Sequence, residues 1–184
     1  MRYRTIVADP PWHYGSGTQG GFTHGPVKGG RGTRRSRTSY ATLSIAEIMD
    51  LPVGDLAEDT AHLYLWTTNT HLRHAWDICE AWGFRYSTLL VWAKAPMGAS
   101  GFPAYPIQTE FVVFARRGSP TNKGRADRNW WQWKRGLHSA KPEAFIDIVE
   151  QVSPGPYLEL FARRARFGWD YWGDESLSTV EMPA

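Results

Sequence analysis

The chain has 184 residues, of which 42% are hydrophobic and 21% are charged, and its formal net charge is +3. This composition is typical of a globular protein with a buried core, and we expect a single domain over residues 1–184. Its single cysteine, Cys79, excludes an internal disulfide and a cysteine-based zinc site, and no apolar run reaches the roughly 20 residues that a bilayer-spanning helix needs. Because the basic amino terminus leads into a strand pattern and not into a signal-peptide core, we expect a cytoplasmic protein without a membrane partner.

The first predicted strand, about residues 4–8, runs directly into Asp9-Pro10-Pro11-Trp12. The two prolines stop the strand because they lack ladder donors and have a fixed φ. Asp9 therefore lies at a strand's carboxyl end, the edge where open α/β sheets bind ligands. The Asp9 carboxylate and the Pro10 carbonyl are two acceptors, and the Trp12 ring is a stacking surface. This combination suits an exocyclic amino group on a flat ring, such as a base taken out of its stack.

A glycine-rich segment at about 13–38 follows the corner and contains no acidic residue. Its candidate phosphate-binding side chains are Lys28, Arg31, Arg34, Arg35 and Arg37. A segment this polar cannot bury enough apolar surface to become ordered alone, and we therefore predict a mobile loop. Its basic side chains predict contact with a nucleic-acid backbone. The alternative is a solvated linker that only keeps the protein soluble. A P-loop is excluded, since the segment lacks the Gly-Lys-Ser/Thr ending.

Further strand patterns occur near 61–67, 87–93, 109–116, 157–162 and 169–172. Apolar spacing predicts a helix over 72–79, capped by Asn69 or Thr70, and another over 145–152, with Pro142 as its first residue. Strands that alternate with helices predict an α/β fold with a mostly parallel, doubly wound sheet.

The segment at about 117–138 is predicted to be a second basic loop, too long for a plain connector. Its candidate nucleic-acid contacts are Arg125, Arg128, Lys134 and Arg135, with Asp127 as the one acidic residue. Between them, Trp130, Trp131 and Trp133 alternate with polar and basic residues. Stacking on unpaired bases and packing against the sheet both remain open for these tryptophans.

Other motifs accompany the corner in a fixed order along the chain. They are Tyr40-Ala41-Thr42-Leu43-Ser44, Leu65-Trp66-Thr67, Val91-Trp92-Ala93-Lys94, Thr109-Glu110, His138-Ser139-Ala140-Lys141-Pro142, Leu158-Glu159-Leu160-Phe161-Ala162-Arg163 and Gly168-Trp169-Asp170-Tyr171-Trp172-Gly173-Asp174-Glu175. With Asp-Pro-Pro-Trp, the series resembles the MT-A70 family of S-adenosylmethionine-dependent adenine N6-methyltransferases over about residues 3–175. The resemblance implies a Rossmann-like domain whose cofactor strand follows the catalytic strand, which is a circularly permuted order.

The resemblance also implies roles for individual residues. The catalytic set is Asp9, Pro10, Pro11 and Trp12, and the S-adenosylmethionine-binding set is Asp9, Lys141, Glu159, Arg163, Asp174 and Glu175. Asp9 would accept hydrogen bonds from the target amine, and the sequence leaves open whether it also takes the proton. Asp174 stands where the family commonly has an amide, which puts the details of adenosine binding in doubt. Methyl transfer needs no metal, so none is expected.

The acceptor and the assembly are less sharply defined. DNA is favoured over RNA because small members of the family look microbial or phage-encoded. A catalytically weak nucleic-acid-binding subunit is an alternative, although the intact Asp9 and Lys141 count against it. Glutamine N5-methyltransferases use Asn-Pro-Pro-Tyr, so Asp9 and Trp12 count against that class. With no added recognition domain visible, we expect either modest sequence specificity or a partner subunit. A homo-oligomer is the other assembly that we expect.

Overall fold

The computed structural model describes residues 1–14, 42–94, 105–134, 140–173 and 178–183. The strands are β1 Tyr3–Ala8, β2 Ala57–Thr67, β3 Arg85–Lys94, β4 Thr109–Arg117, β5 Trp130–Trp133, β6 Tyr157–Leu160 and β7 Trp169–Trp172. The helices are α1 Ile45–Met49, α2 Val53–Leu56, α3 Leu72–Ala81 and α4 Glu143–Val152. In the described parts of the chain, no helix combines the length and the apolar character needed to cross a bilayer.

The seven strands form one sheet in the order β5-β3-β4-β2-β1-β6-β7. The central strand β1 is parallel to both neighbours, β2 and β6, and the pairs β6–β7 and β3–β5 are also parallel. Only β4 runs antiparallel to the strands beside it, β2 and β3. The prediction of a mostly parallel sheet is therefore confirmed.

Side chains of β1 alternate between two core clusters, one on each face of the sheet. Ile6 and Ala8 pack in the cluster that contains α1 and α3, which we call the α3 face. Val7 packs with Phe145 and Val149 of α4 in the second cluster, on the α4 face. Because successive strand residues point to opposite faces, one apolar strand supplies both cores. Helices on both faces confirm the doubly wound arrangement.

The helix starts differ slightly from the predicted ones. Residues 68–71 close a turn in which the His71 N–H donates to the Thr68 carbonyl, so α3 begins after His71, and neither Asn69 nor Thr70 is its cap. Pro142 is the N-cap of α4 and has an extended ψ of 130°, so it precedes the helix. A proline is tolerated at a helix start because the first N–H groups have no intrahelical partner.

The observed strands differ from the predicted ones mainly at β2, β5 and β6. β2 begins at Ala57, four residues before the predicted start near 61. Residues 130–133, predicted to be part of a loop, form β5 at the sheet edge, parallel to β3. The predicted strand at 157–162 ends at Leu160, because Phe161 adopts a positive φ of 63°. The turn that follows packs closely on Gly173, where a Cβ atom would lie 2.4 Å from the Ala162 oxygen. A side chain at Gly173 would therefore displace the backbone beside the end of β6.

Candidate active site

The Asp9-Pro10-Pro11-Trp12 corner lies at the carboxyl end of the central strand. The Asp9 N–H donates to the Leu160 carbonyl at 3.4 Å, which ties the corner to the end of β6. The Trp12 N–H donates to the Pro10 carbonyl at 2.9 Å and closes a tight turn. That bond uses one of the two acceptor sites of the Pro10 oxygen, so one remains for a ligand.

Four charged side chains from four different segments meet beside the corner. The Lys141 Nζ lies 2.9 Å from Asp9 Oδ1 and 3.2 Å from Glu110 Oε2. Lys94 also binds Glu110, through Oε1. The charges therefore alternate in the order Lys94, Glu110, Lys141, Asp9. The Lys141 ammonium also lies 5.1 Å from the centre of the Trp66 ring, a cation–π distance.

The network keeps two of its members ionised. Burial alone would lower the pKa of Lys141, but the Asp9 and Glu110 carboxylates outweigh burial and raise that pKa above its usual value. Burial would likewise raise the pKa of Glu110, but Lys141 and Lys94 outweigh it and lower that pKa. At neutral pH, Lys141 is therefore protonated and Glu110 is a carboxylate.

A cavity of about 340 Å³ opens next to this network on the α4 face. Its lining includes Asp9, Trp66, Lys141, Glu159 and Arg163. The volume falls within the usual range of small-molecule pockets. Asp9, Lys141, Glu159 and Arg163, predicted from three separate motifs, thus meet at one cavity, at the carboxyl ends of β1 and β6.

Glu159 has an unusual environment in this cavity. Burial, together with the negative charge of Asp9, raises the pKa of Glu159 to about 7, although Arg164 and Arg166 act in the opposite direction. Its proton occupancy therefore changes in the physiological range, and hydrogen-bond donors from a ligand would favour the ionised form.

The structure gives Trp12 a packing role and not the predicted stacking role. The Trp12 side chain is 5% exposed, and its ring stacks on His71 with centroids 4.9 Å apart and planes 16° apart. His71 is held by the Thr68 hydroxyl and the His13 carbonyl. An indole so fully covered has no open face for a base. The Trp12 Nε1 has no hydrogen-bond partner among the described residues.

The three described candidates for nucleic-acid contact lie in different places. Lys134 follows β5 at the same edge of the sheet as the charged network, since Trp133 pairs in register with Lys94. Arg128 forms an exposed ion pair with Asp127 at 2.8 Å. Arg125 lies beside the end of α4, where its carbonyl accepts from Gln151. The predicted residues Lys28, Arg31, Arg34, Arg35, Arg37, Arg135, Asp174 and Glu175 lie outside the described residues.

The three tryptophans of this run have different environments in the structure. Trp131 and Trp133 stack on each other at 5.5 Å, and Trp133 packs against the core of the α4 face. Trp130 is 53% exposed. Packing thus accounts for Trp133, whereas Trp130 presents a ring surface to solvent.

Glu110 and Lys94 received no role from sequence reasoning, although both lie in motifs that carry the resemblance. Their placement depends on strand direction, which no local sequence pattern indicates. Because β4 is antiparallel to β3 and β2, its first residues lie at the edge where β1 and β3 end. Among the described residues there is no group of three or more His, Cys, Asp or Glu side chains suited to a metal ion.

Comparison with known proteins places the chain among methyltransferases. The family model MT-A70 matches residues 3–175. A type II methyltransferase, M.MunI, from a Mycoplasma species is 36% identical over 99% of this chain and 82% of its own length. Human N(6)-adenine-specific methyltransferase METTL4 is 30% identical over 95% of the chain and 38% of its own length. The N6-methyladenosine RNA methyltransferase MTA1 of Cryphonectria parasitica is 28% identical over 94% of the chain and 51% of its own length.

Proposed function

The chain belongs to the MT-A70 family of adenine N6-methyltransferases, and we propose that it uses S-adenosylmethionine as methyl donor and DNA as its main acceptor. DNA is favoured because the Mycoplasma relative, with which the chain shares most of both lengths, is a type II methyltransferase, a class that modifies DNA. The fungal RNA methyltransferase is less similar and is matched over about half of its length. Recognition of a target sequence by a partner subunit stays a prediction.

The cavity beside Asp9 fits the donor in size and in charge. The Lys141 ammonium suits the carboxylate at the amino-acid end of the donor. Glu159, at the carboxyl end of β6, suits the paired hydroxyl groups of a ribose. The cavity volume is about 340 Å³, so a bound S-adenosylmethionine would fill most of the cavity. When bound, S-adenosylmethionine supplies an electrophilic methyl group on a sulfonium centre.

The contact between Asp9 and Lys141 is the observation that carries the proposal. It shows that the Asp9 carboxylate accepts a hydrogen bond at 2.9 Å from a cationic nitrogen. The N6 nitrogen of adenine becomes cationic as it gains a methyl group, and the same carboxylate would stabilise that charge. The remaining acceptor site of the Pro10 carbonyl would hold the second N–H and orient the nitrogen. Fixed acceptors of this kind stabilise a transition state because they need no reorganisation.

The test compares the protein with two variants, Asp9→Asn and Asp127→Asn, each of which replaces one negatively charged side chain by an uncharged amide. Purified protein is incubated with labelled donor and with DNA and RNA oligonucleotides of the same sequence, and nucleosides are analysed by mass spectrometry. We expect N6-methyladenine from the wild type, mainly in DNA, a loss of roughly 10²-fold or more for Asp9→Asn, and no change for the exposed Asp127→Asn. Full activity of Asp9→Asn would overturn the assignment of the corner, and methylation of RNA alone would overturn the preference for DNA.

A further inference from the structure

Two arginines face each other across neighbouring strands at the end of the sheet opposite to Asp9. In the ladder between β3 and β4, Arg85 pairs in register with Arg116, and both residues are exposed. Neither arginine belongs to any ion pair of the described residues. Like charges directly opposite in an antiparallel pair are destabilising. The arrangement therefore favours an anion between them.

A cavity of about 380 Å³ lies beside the two arginines, and Tyr86 and Ser119 also line it. Gly118, with a φ of +60°, makes the turn that places Ser119 there, and a Cβ atom at Gly118 would lie 2.5 Å from the Asp59 carbonyl. The turn is thus packed tightly against the start of β2. Guanidinium groups next to hydroxyl donors are the groups that bind phosphate oxygens.

Two more basic residues lie beside the end of α4. The Lys123 N–H donates to the Val152 carbonyl at 2.8 Å, and Gln151 donates to the Arg125 carbonyl at 3.0 Å. Both contacts anchor the segment to the end of α4. Lys123 and Arg125 are exposed, and neither takes part in an ion pair of the described residues.

Buried contacts connect the end of α4 to Arg116. Ser153, which follows α4, bonds to His62 at 2.8 Å, and His62 pairs in register with Arg116. Burial, and then the positive charge of Arg116, lowers the pKa of His62 to about 4. His62 is therefore uncharged at neutral pH, so it does not cancel the positive charge of Arg116. We call Arg85, Arg116, Lys123 and Arg125 the amino-edge patch.

We propose that the amino-edge patch binds the phosphate backbone of the substrate nucleic acid at a distance from the target adenine, an inference that rests on the proposed function. Arg116 and Glu110 are six residues apart on β4, which corresponds to roughly 20 Å along the strand. Since Glu110 belongs to the network around Asp9, the patch lies about six base pairs of duplex away from the corner.

The separation predicts a dependence on DNA length. Binding is measured by fluorescence anisotropy on two hairpin duplexes that extend about 4 and about 12 base pairs on either side of one adenine, at several salt concentrations. The variants are Arg85→Gln, Arg116→Gln and the double variant. Arg73→Gln is the matched control, because Arg73 is an exposed arginine on α3 whose Nε donates only to the neighbouring His74.

On the long duplex, log K falls as log salt rises, and each substitution should make this slope less steep by about 0.9. Binding should weaken roughly 8-fold at 0.1 M salt. The short duplex should bind all variants alike, and Arg73→Gln should match the wild type on both. An unchanged slope for the double variant, or an equal loss on both duplexes, would overturn the proposal. Methyl transfer by the wild type to the same duplexes tests the proposed function separately, since its absence would leave the binding result intact.

Discussion

Replacing Lys141 by methionine should destabilise the fold in a manner that depends on pH. The ammonium lies between Asp9 and Glu110, and the three side chains are only 23%, 17% and 17% exposed. Methionine keeps much of the length of lysine but leaves the two carboxylates without their common cation. The loss is therefore mainly electrostatic.

The magnitude follows from the burial. Removing one partner of a buried ion pair costs roughly 3–5 kcal/mol, and the lower end applies because Lys94 still compensates Glu110. A loss of about 3 kcal/mol in the free energy of unfolding lowers the Tm of a chain this long by about 6–12 °C. Arg128→Met removes the same charge from the exposed pair with Asp127, so it should leave the Tm unchanged.

The sign of the pH effect follows from Glu110. In the wild type, the pKa of Glu110 is lower in the folded than in the unfolded state. Its ion pairs therefore stabilise the fold fully above the pKa of an unfolded glutamate, and this stabilisation is lost as the pH falls through the folded pKa. Without Lys141, only Lys94 still lowers the pKa of Glu110 against the effect of burial, so that pKa rises, and acidification then removes part of the excess negative charge. Urea unfolding should therefore show a larger difference between wild type and Lys141→Met at pH 7 than at pH 5. A difference that is equal at both pH values, or absent at pH 7, would refute the reasoning.

Two further predictions concern the cavity and the corner. Because the pKa of Glu159 is raised to about 7, its carboxylate forms as the pH rises through 7, so donor affinity measured by calorimetry should increase about tenfold from pH 6 to pH 8, whereas Glu159→Gln should show no such change. A flat wild-type profile would contradict a direct role for Glu159. Trp12→Ala should lower the free energy of unfolding by about 3–5 kcal/mol and Trp12→Phe by less, because phenylalanine keeps a ring against His71. A stable Trp12→Ala protein with a raised KM for nucleic acid would instead restore the base-stacking role.

The strands with long apolar runs were predictable, and β5 was not. β1 and β2 lie inside the sheet, so residues 5–8 of β1 and residues 61–67 of β2 are buried on both faces and form mainly apolar segments. β5 is four residues long, with exposed Trp130 and Gln132, and it lies between polar stretches. It forms because the edge of β3 is available for pairing and the Trp133 carbonyl accepts from the Trp92 indole. A contact between strands about 40 residues apart has no local signature.

The same distinction applies to the site. Asp9, Lys141, Glu159 and Arg163 were predicted from short motifs, and the cavity brings them together. Glu110 was not assigned, because its place in the network depends on the antiparallel direction of β4, which its sequence does not reveal. The burial of Trp12 likewise depends on His71, which lies 59 positions further along the chain.

The basic segment from residue 116 to residue 141 shows why neighbouring charges in a sequence need not form one surface. Lys141 belongs to the charged network around Asp9, and Arg117 donates to the Gly54 carbonyl inside the fold. Because β4 and β5 both run along the sheet, Arg116 and Lys134 lie near its opposite ends. Strand pairing then brings Arg116 together with Arg85, which precedes it by 31 positions and belongs to no basic cluster of the sequence. The basic surface that we propose for binding is therefore set by the register of the strands, and the length dependence of DNA affinity is the measurement that tests it.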